Sequence, residues 1–178
     1  MIRFFDILFS LLGLIILSPI IILLIFLGII ENGSPLFRQK RVGINQIIFF
    51  LLKFRTMHKN TKSTATHLVD FSKVTSFGLF LRSTKLDEIP QLFNVLMGDM
   101  SLVGPRPSLF SQKKLIIERN KRGIFKVKPG ITGLAQISGI NMKTPTLLAK
   151  TDFKMIKKLN LSYYFYYIFM TFFVILKK

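Results

Sequence analysis

Residues Ile7 to Ile30 form an uncharged, apolar segment of 24 residues with Ser18-Pro19 at its centre. A single helix of that length measures roughly 36 Å, which is enough to cross a bilayer. Pro19 lacks a backbone N–H and its ring clashes with the preceding turn, so we expect a sharp kink there, with the Ser18 hydroxyl satisfying a freed carbonyl. Each arm of about 12 residues then reaches only about 18 Å. The pattern predicts a broken membrane helix and leaves open whether it re-enters one leaflet or spans the bilayer with a kink.

A secretory signal is a weaker interpretation of the same segment. The apolar run is too long for the hydrophobic region of a signal peptide, and no small-x-small cleavage site follows it. The segment is therefore predicted to stay in the mature protein.

The charge of the chain indicates an anionic partner. It has 26 Lys and Arg against eight Asp and Glu, a formal net charge of +18, while 50% of its residues are hydrophobic. Such a charge suits nucleic acid, acidic lipid headgroups or phosphorylated substrates, and charge alone does not choose among them. Together with the hydrophobicity it favours a membrane surface. Because 25 of the 26 basic residues follow residue 30, we expect residues 31–178 to be cytoplasmic.

Residue content excludes or disfavours several chemistries. The chain has no cysteine, which excludes disulfides, thiolate catalysis and Cys-ligated zinc and suits a reducing compartment. Its two histidines, His58 and His67, lie nine positions apart with no carboxylate between them, so a metal site there is disfavoured. The polar, Thr-rich segment that they bound is predicted to be a mobile loop.

A hairpin is predicted soon after the membrane segment. Val42-Gly43-Ile44-Asn45 has turn character and lies between two short apolar stretches. Strand alternation would place Lys53 and Arg55 on one face. Three cations of the first strand are close enough to the membrane exit to contact headgroups: Arg38, Lys40 and Arg41.

Further elements are predicted downstream. Helices are expected over residues 113–122 and 147–159, with a turn-rich connector at 129–133. The aromatic segment 161–176 is short for a membrane span and rich in Tyr, which favours a helix at the lipid–water interface, with a buried helix as the alternative.

The stretch from Arg82 to Pro107 holds an adjacent carboxylate pair, Asp87 and Glu88. Thr84-Lys85-Leu86-Asp87 fits a capping box, so the pair is predicted in the first turn of a helix that ends near Gly98. Acids are favoured there by the helix dipole alone. The functional interpretation is that carboxylates among cations stay ionised and bind a divalent cation or attack phosphorus. The Pro105-Arg106-Pro107 turn also allows two interpretations: it either presents Arg106 to a phosphate or base, or is a structural turn.

Several blocks of the sequence occur together in one known family. They are LRSTKLDEIPQLFNVLMGDMSLVGPRP at 81–107, RQKRVG at 38–43, KFRTM at 53–57 and KPGITGLAQISG at 128–139, with the Ser-Pro break ahead of them. In residues and order they resemble the bacterial sugar transferase family, the small monotopic polyprenyl-phosphate phosphoglycosyl transferases. The resemblance covers nearly the whole chain. It implies transfer of a sugar 1-phosphate from a UDP-sugar to polyprenyl phosphate, with release of UMP.

The resemblance also implies roles for residues. Asp87 would attack the β-phosphorus and form a covalent phosphosugar intermediate, with Mg²⁺ near Asp87 neutralising the diphosphate. Glu88 would assist it, by position or as a base for the incoming acceptor. Lys53 and Arg82 would hold phosphate oxygens, and the segment formed by Pro105, Arg106 and Pro107 would contact the nucleotide. Ser18 and Pro19 would form the break of a re-entrant helix with both chain ends on the cytoplasmic side.

The expectation is therefore a mostly helical α+β membrane enzyme. Its parts would be a re-entrant membrane helix at 1–31, a membrane-surface catalytic domain with a short hairpin at 32–160, and an aromatic interfacial helix at 161–178. The catalytic domain would lie on the cytoplasmic face of the bacterial inner membrane, without a nucleic-acid partner. The rival hypothesis is a non-catalytic, basic membrane-surface protein that binds anionic lipid or nucleic acid.

Overall fold

The computed structural model describes residues 1–59, 61 and 71–176 and has a mostly helical α+β architecture. The helices are α1 (Ile2–Ile16), α2 (Ser18–Asn32), α3 (Ser76–Thr84), α4 (Gln91–Met97), α5 (Lys113–Lys121), α6 (Leu134–Ile137), α7 (Pro145–Lys158) and α8 (Leu161–Leu176). The strands are β1 (Leu36–Val42), β2 (Ile48–Phe54), β3 (Ser101–Val103), β4 (Ser108–Leu109) and β5 (Gly130–Thr132). Most of the predicted loop at 58–67, with His67, lies outside the described residues.

The predicted break at Ser18-Pro19 is confirmed as a bend of 63° between α1 and α2. Pro19 stands in the first turn of α2, where its missing N–H costs nothing. The Ser18 hydroxyl donates a hydrogen bond to the carbonyl of Ile15 at 2.7 Å, as expected. Within the described part of the chain no single helix is long and apolar enough to cross a membrane, whereas this bent pair passes by length and composition.

Polar side chains fasten α1 to the rest of the fold. The Asp6 carboxylate is 2% exposed and accepts hydrogen bonds from Ser101 Oγ, the Leu102 N–H and the Tyr164 hydroxyl, each at 2.9 Å. Arg3 donates to the carbonyl of Leu96 at 2.8 Å. Since a buried carboxylate needs such donors, the start of α1 has a fixed position on the domain.

The predicted hairpin is confirmed. β1 and β2 pair antiparallel with Leu36 opposite Phe54 and Val42 opposite Ile48, and β4 adds to the other edge of β1. The cations Lys53 and Arg55 both lie over the ring of Phe37, at 5.5 and 5.4 Å, so they share a face.

The connector predicted at 129–133 is wrong in part, because Gly130–Thr132 is a strand that pairs in parallel with Ser101–Val103. A Cβ on Gly130 would lie 2.0 Å from the backbone nitrogen of Gly104. The glycine is therefore needed for close backbone approach rather than for a turn.

The capping box predicted at Thr84 is also wrong. Thr84 is the last residue of α3 and its hydroxyl donates to the carbonyl of Phe80. Lys85 then adopts a left-handed conformation with φ 62°, and Asp87 and Glu88 lie in a 3-10 turn, Leu86–Glu88, ahead of α4. Pro90 supplies a reason, since it has no N–H to donate to the carbonyl of Leu86 in a continuous helix, and α4 begins only after it.

The other predicted helices are confirmed, and α4 ends at Gly98 as expected, with φ 93°. The C-terminal helix α8 combines both alternatives considered for it. Tyr164 and Tyr167 are buried against the domain, whereas the outer face of α8 exposes large aromatic side chains: Phe169, Phe172 and Phe173.

Candidate active site

The end of β2 and helix α3 bring two predicted phosphate-binding cations into one region. A Cβ on Gly78 would lie 2.1 Å from the carbonyl oxygen of Thr56, so α3 packs directly on the chain that follows β2. Arg82, on α3, donates from Nε to Thr56 Oγ1 at 2.9 Å. Burial lowers the pKa of Arg82, and the negative charge of Asp87 opposes that shift only in part.

Another feature of the site is the buried carboxylate of Asp87. It is 9% exposed, and no hydrogen bond to its side chain occurs among residues 1–59, 61 and 71–176. Burial and the neighbouring charge of Glu88 raise the pKa of Asp87 to about 6, against the opposing charges of Lys53, Lys85 and Arg106. Asp87 is therefore mostly ionised at neutral pH and available to react.

Glu88 has the opposite environment. Its Oε1 lies 2.6 Å from Arg106 Nη2. Burial opposes ionisation of Glu88, yet the charge and hydrogen bond of Arg106, with help from Lys85 and Lys53, hold its pKa below the ordinary value. Two adjacent acids with different environments are suited to different roles.

Lys53 is half-buried near these acids. Desolvation and the positive charge of Arg41 lower the pKa of Lys53 to about 8, in spite of Asp87. It remains mostly protonated at neutral pH, and a desolvated cation interacts strongly with an arriving phosphate. The predicted residues Lys53, Arg82, Asp87, Glu88 and Arg106 thus influence one another electrostatically, whereas Ser18 and Pro19 belong to the bend between α1 and α2.

Arg41 is a site residue that sequence reasoning missed. The expectation that it contacts headgroups is wrong, since it is 6% exposed and donates to the carbonyl of Pro107 at 2.9 Å and to Gln39 Oε1 at 2.6 Å. Burial and the charge of Arg106 lower its pKa to about 9. Strand alternation was the available signal, because it points Gln39 and Arg41 inward while Arg38 and Lys40 are exposed.

A second missed feature is the buried ion pair of Arg119 on α5 with Asp152 on α7. Arg119 Nη2 lies 2.7 Å from Asp152 Oδ2, with the two side chains 2% and 0% exposed. Arg119 Nη1 also donates to the backbone carbonyl of Arg106 at 2.8 Å. The only hint in the sequence is a lone acid in a Lys-rich helix, because partners 33 positions apart leave no local pattern.

These contacts determine the shape of the Pro105-Arg106-Pro107 turn. Its three consecutive carbonyls accept hydrogen bonds from the Gly130 N–H, from Arg119 and from Arg41, respectively. Each of the three residues is thus fixed through its backbone carbonyl, while the Arg106 side chain pairs with Glu88. Such a turn loses little entropy when it binds a ligand.

The donor set for a metal at this site is small. No group of three or more His, Cys, Asp or Glu that could hold an ion is found in the described part of the chain. The Asp87 carboxylate, which has no hydrogen bond among the described residues, offers one hard oxygen ligand group. This fits Mg²⁺, because that ion commonly uses one or two carboxylates and completes its shell with water and substrate phosphates.

The candidate site thus consists of a buried carboxylate, free of hydrogen bonds among the described residues, beside several cations, on a domain that also carries a bent pair of apolar helices. The sequence model of the bacterial sugar transferase family matches residues 1–178. The chain belongs to this family, as the resemblance of its blocks predicted.

Relatives are found in several bacteria. The chain is 44% identical over 140 residues to the uncharacterized sugar transferase EpsL of Bacillus subtilis, covering 78% of this chain and 69% of that protein. It is 43% identical over 151 residues to the UDP-glucose:undecaprenyl-phosphate glucose-1-phosphate transferase of Klebsiella pneumoniae, covering 82% and 32%. It is 38% identical over 174 residues to galactosyl transferase CpsE of Streptococcus agalactiae, covering 90% and 37%. The chain therefore spans about a third of the length of the last two relatives.

Proposed function

We propose that this chain transfers a sugar 1-phosphate from a UDP-sugar to polyprenyl (undecaprenyl) phosphate and releases UMP, as a first membrane step of glycan assembly. The observation that carries this proposal is the buried, ionisable Asp87, free of hydrogen bonds among the described residues and set beside cations. The printed names of relatives from Klebsiella pneumoniae and Salmonella typhimurium, which act on undecaprenyl phosphate, support it.

The residues suggest a two-step mechanism. An Asp87 carboxylate oxygen attacks the β-phosphorus of the UDP-sugar, and the bond from that phosphorus to the oxygen bridging toward UMP breaks, so that the sugar phosphate is carried on Asp87. A phosphate oxygen of the acceptor then attacks the same phosphorus and frees Asp87. Phosphoryl transfer needs mainly positioning and charge neutralisation. Lys53 and Arg82 would neutralise the charge on the diphosphate oxygens. Arg106 would position the nucleotide beside the Pro105-Arg106-Pro107 turn.

Mg²⁺ belongs to this proposal as the cofactor. Bound through Asp87 and the substrate phosphates, it would neutralise charge on the diphosphate. Glu88, whose low pKa keeps it ionised, holds Arg106 in place and preserves the orientation of that side chain toward the nucleotide.

The cellular setting is part of the proposal. The bent α1–α2 pair would dip into one leaflet of the bacterial inner membrane and return, and the exposed aromatic face of α8 would lie at the interface. The catalytic domain would then face the cytoplasm, where a soluble UDP-sugar meets a lipid phosphate.

A burst experiment tests the reaction. The full chain in nanodiscs is mixed with a panel of UDP-sugars and Mg²⁺ without acceptor, and UMP is quantified. We expect about one UMP per chain together with a covalent phosphosugar on the protein, and sustained turnover once undecaprenyl phosphate is added. UMP release that requires the acceptor from the first turnover would exclude the covalent intermediate, and no release with any UDP-sugar would exclude the function.

The topology has its own test. A single Cys introduced at Ile2 in this cysteine-free chain should resist a membrane-impermeant thiol reagent added to intact cells and react after the cells are opened. A Cys replacing the exposed Ser76 of α3 serves as the matched control and should behave in the same way. Labelling of position 2 alone in intact cells would mean that the broken helix spans the membrane.

A further inference from the structure

A groove of about 670 Å³ leads away from the acid–arginine pair of the candidate active site. Glu88, Arg106 and Lys85 line it, and so do Thr171 and Val174 near the end of α8. It therefore joins the site where phosphorus chemistry is proposed to the aromatic C-terminal helix. Among the described residues that line it, only Glu88 and Arg106 have a role in the proposed mechanism.

The walls of the groove are mainly branched aliphatic side chains. Six half-buried members are Ile89, Leu92, Ile131, Ile137, Ile140 and Val174. No aromatic ring is among the described residues that line it. A nucleobase is commonly held by stacking on such rings, whereas branched aliphatic walls suit a branched hydrocarbon.

The same walls touch the apolar helices. Ile89 packs against the buried cluster that contains Leu24 of α2. Leu92 Cδ1 would lie 3.2 Å from a Cβ added to Gly13 of α1. Ile137 packs against the cluster that contains Tyr164 and Tyr167 of α8. The groove is thus bounded by side chains that also contact α1, α2 and α8.

We propose that this groove is the acceptor site and holds the first isoprene units of polyprenyl phosphate, an inference that rests on the proposed function. The charge of its lining is complementary to such a molecule. Lys85 is an exposed cation next to Glu88, and it receives the acceptor phosphate, while the hydrocarbon follows the aliphatic walls toward α8. The acceptor phosphate then arrives near the residue that carries the sugar phosphate, because Asp87 lies in the 3-10 turn that follows Lys85 and is within range of the charges of Lys85, Glu88 and Arg106.

The proposal separates two half-reactions that one experiment can measure. Val174→Trp fills the groove from α8, and Ile140→Trp fills it from the segment after α6, so that failure of one variant to fold leaves the other. Phe173→Trp, at an exposed position of α8 outside the groove, is the matched control. Each protein is assayed for the UMP burst without acceptor and for turnover against increasing undecaprenyl phosphate.

We expect the groove variants to keep the amplitude of the burst, and its rate within about twofold, while their KM for undecaprenyl phosphate rises at least about tenfold, a change of about 1.4 kcal/mol. The control variant should match the wild type in both assays. A groove variant that loses the burst would assign the groove to the UDP-sugar, and variants unchanged in both assays would show that no substrate uses it; either result overturns the proposal. A wild-type chain that releases no UMP from any UDP-sugar, with or without acceptor, refutes the proposed function instead, so the two failures are distinguishable.

Discussion

Asp87→Asn is expected to abolish UMP release while making the folded chain more stable at pH 7. The amide keeps the size of the carboxylate but cannot form the acyl phosphate, so we expect a loss of at least about 1,000-fold in the burst rate. The lipid affinity of the protein should not change, which separates the enzyme from the rival hypothesis of a basic lipid-binding protein.

The stability gain follows from the pKa of Asp87, which burial and Glu88 raise from 3.8 to about 6. Ionising Asp87 in the folded chain therefore costs about 3 kcal/mol, at about 1.4 kcal/mol per pH unit. Below pH 3.8 the group is neutral in both states and the cost is absent. As the pH rises the unfolded state ionises first, so the native protein loses this stability progressively, and the loss is complete above about pH 6.

Thermal unfolding in detergent at several pH values measures this effect. The Asn variant should melt at a higher temperature than the wild type at pH 7, and the difference should shrink toward pH 4. Asp99→Asn is the matched control, because Asp99 lies outside the site, and it should retain activity. A less stable Asp87→Asn variant at pH 7 would mean that the cations outweigh burial. For the wild type, kcat/KM for the UDP-sugar should fall as the pH drops below about 6, since a protonated Asp87 does not attack.

Arg119→Met is the second change with a large expected effect. It leaves the fully buried Asp152 without a counter-ion, and breaking a buried pair in this way destabilises a protein by about 3–5 kcal/mol. It also removes the donor to the carbonyl of Arg106. We therefore expect both a lower melting temperature and a higher KM for the UDP-sugar.

A double variant separates these two effects. Arg119→Met with Asp152→Leu replaces the pair by apolar side chains of similar volume, which commonly restores stability. The carbonyl of Arg106 still lacks its donor, so the KM for the UDP-sugar should stay raised while the melting temperature recovers. Full recovery of KM would limit Arg119 to a structural role. Arg122→Met is the matched control on the same segment, because its pair with Glu118 is partly exposed and is expected to contribute at most about 1 kcal/mol.

Local patterns were sufficient for most elements of the fold. The bend at Pro19, the hairpin, the helices at 113–122 and 147–159 and the end of α4 at Gly98 follow from rules that act within a few residues. The same rules failed at Thr84 and at Gly130. There, Pro90 and the close approach of Gly104 outweighed patterns that elsewhere indicate a capped helix and a turn.

The sequence by itself determined the family, through ordered blocks, and the candidate residues Asp87, Glu88, Lys53, Arg82 and Arg106. Only the tertiary structure decided how those residues differ. Asp87 is left unbonded among the described residues while Glu88 pairs with Arg106, and Arg41 and Arg119 hold the Pro105-Arg106-Pro107 turn from β1 and α5. The physical reason is that burial and pairing depend on contacts between positions far apart in the chain. The sequence shows which groups are present and how they are spaced. The fold sets their solvation, and therefore their charge and reactivity.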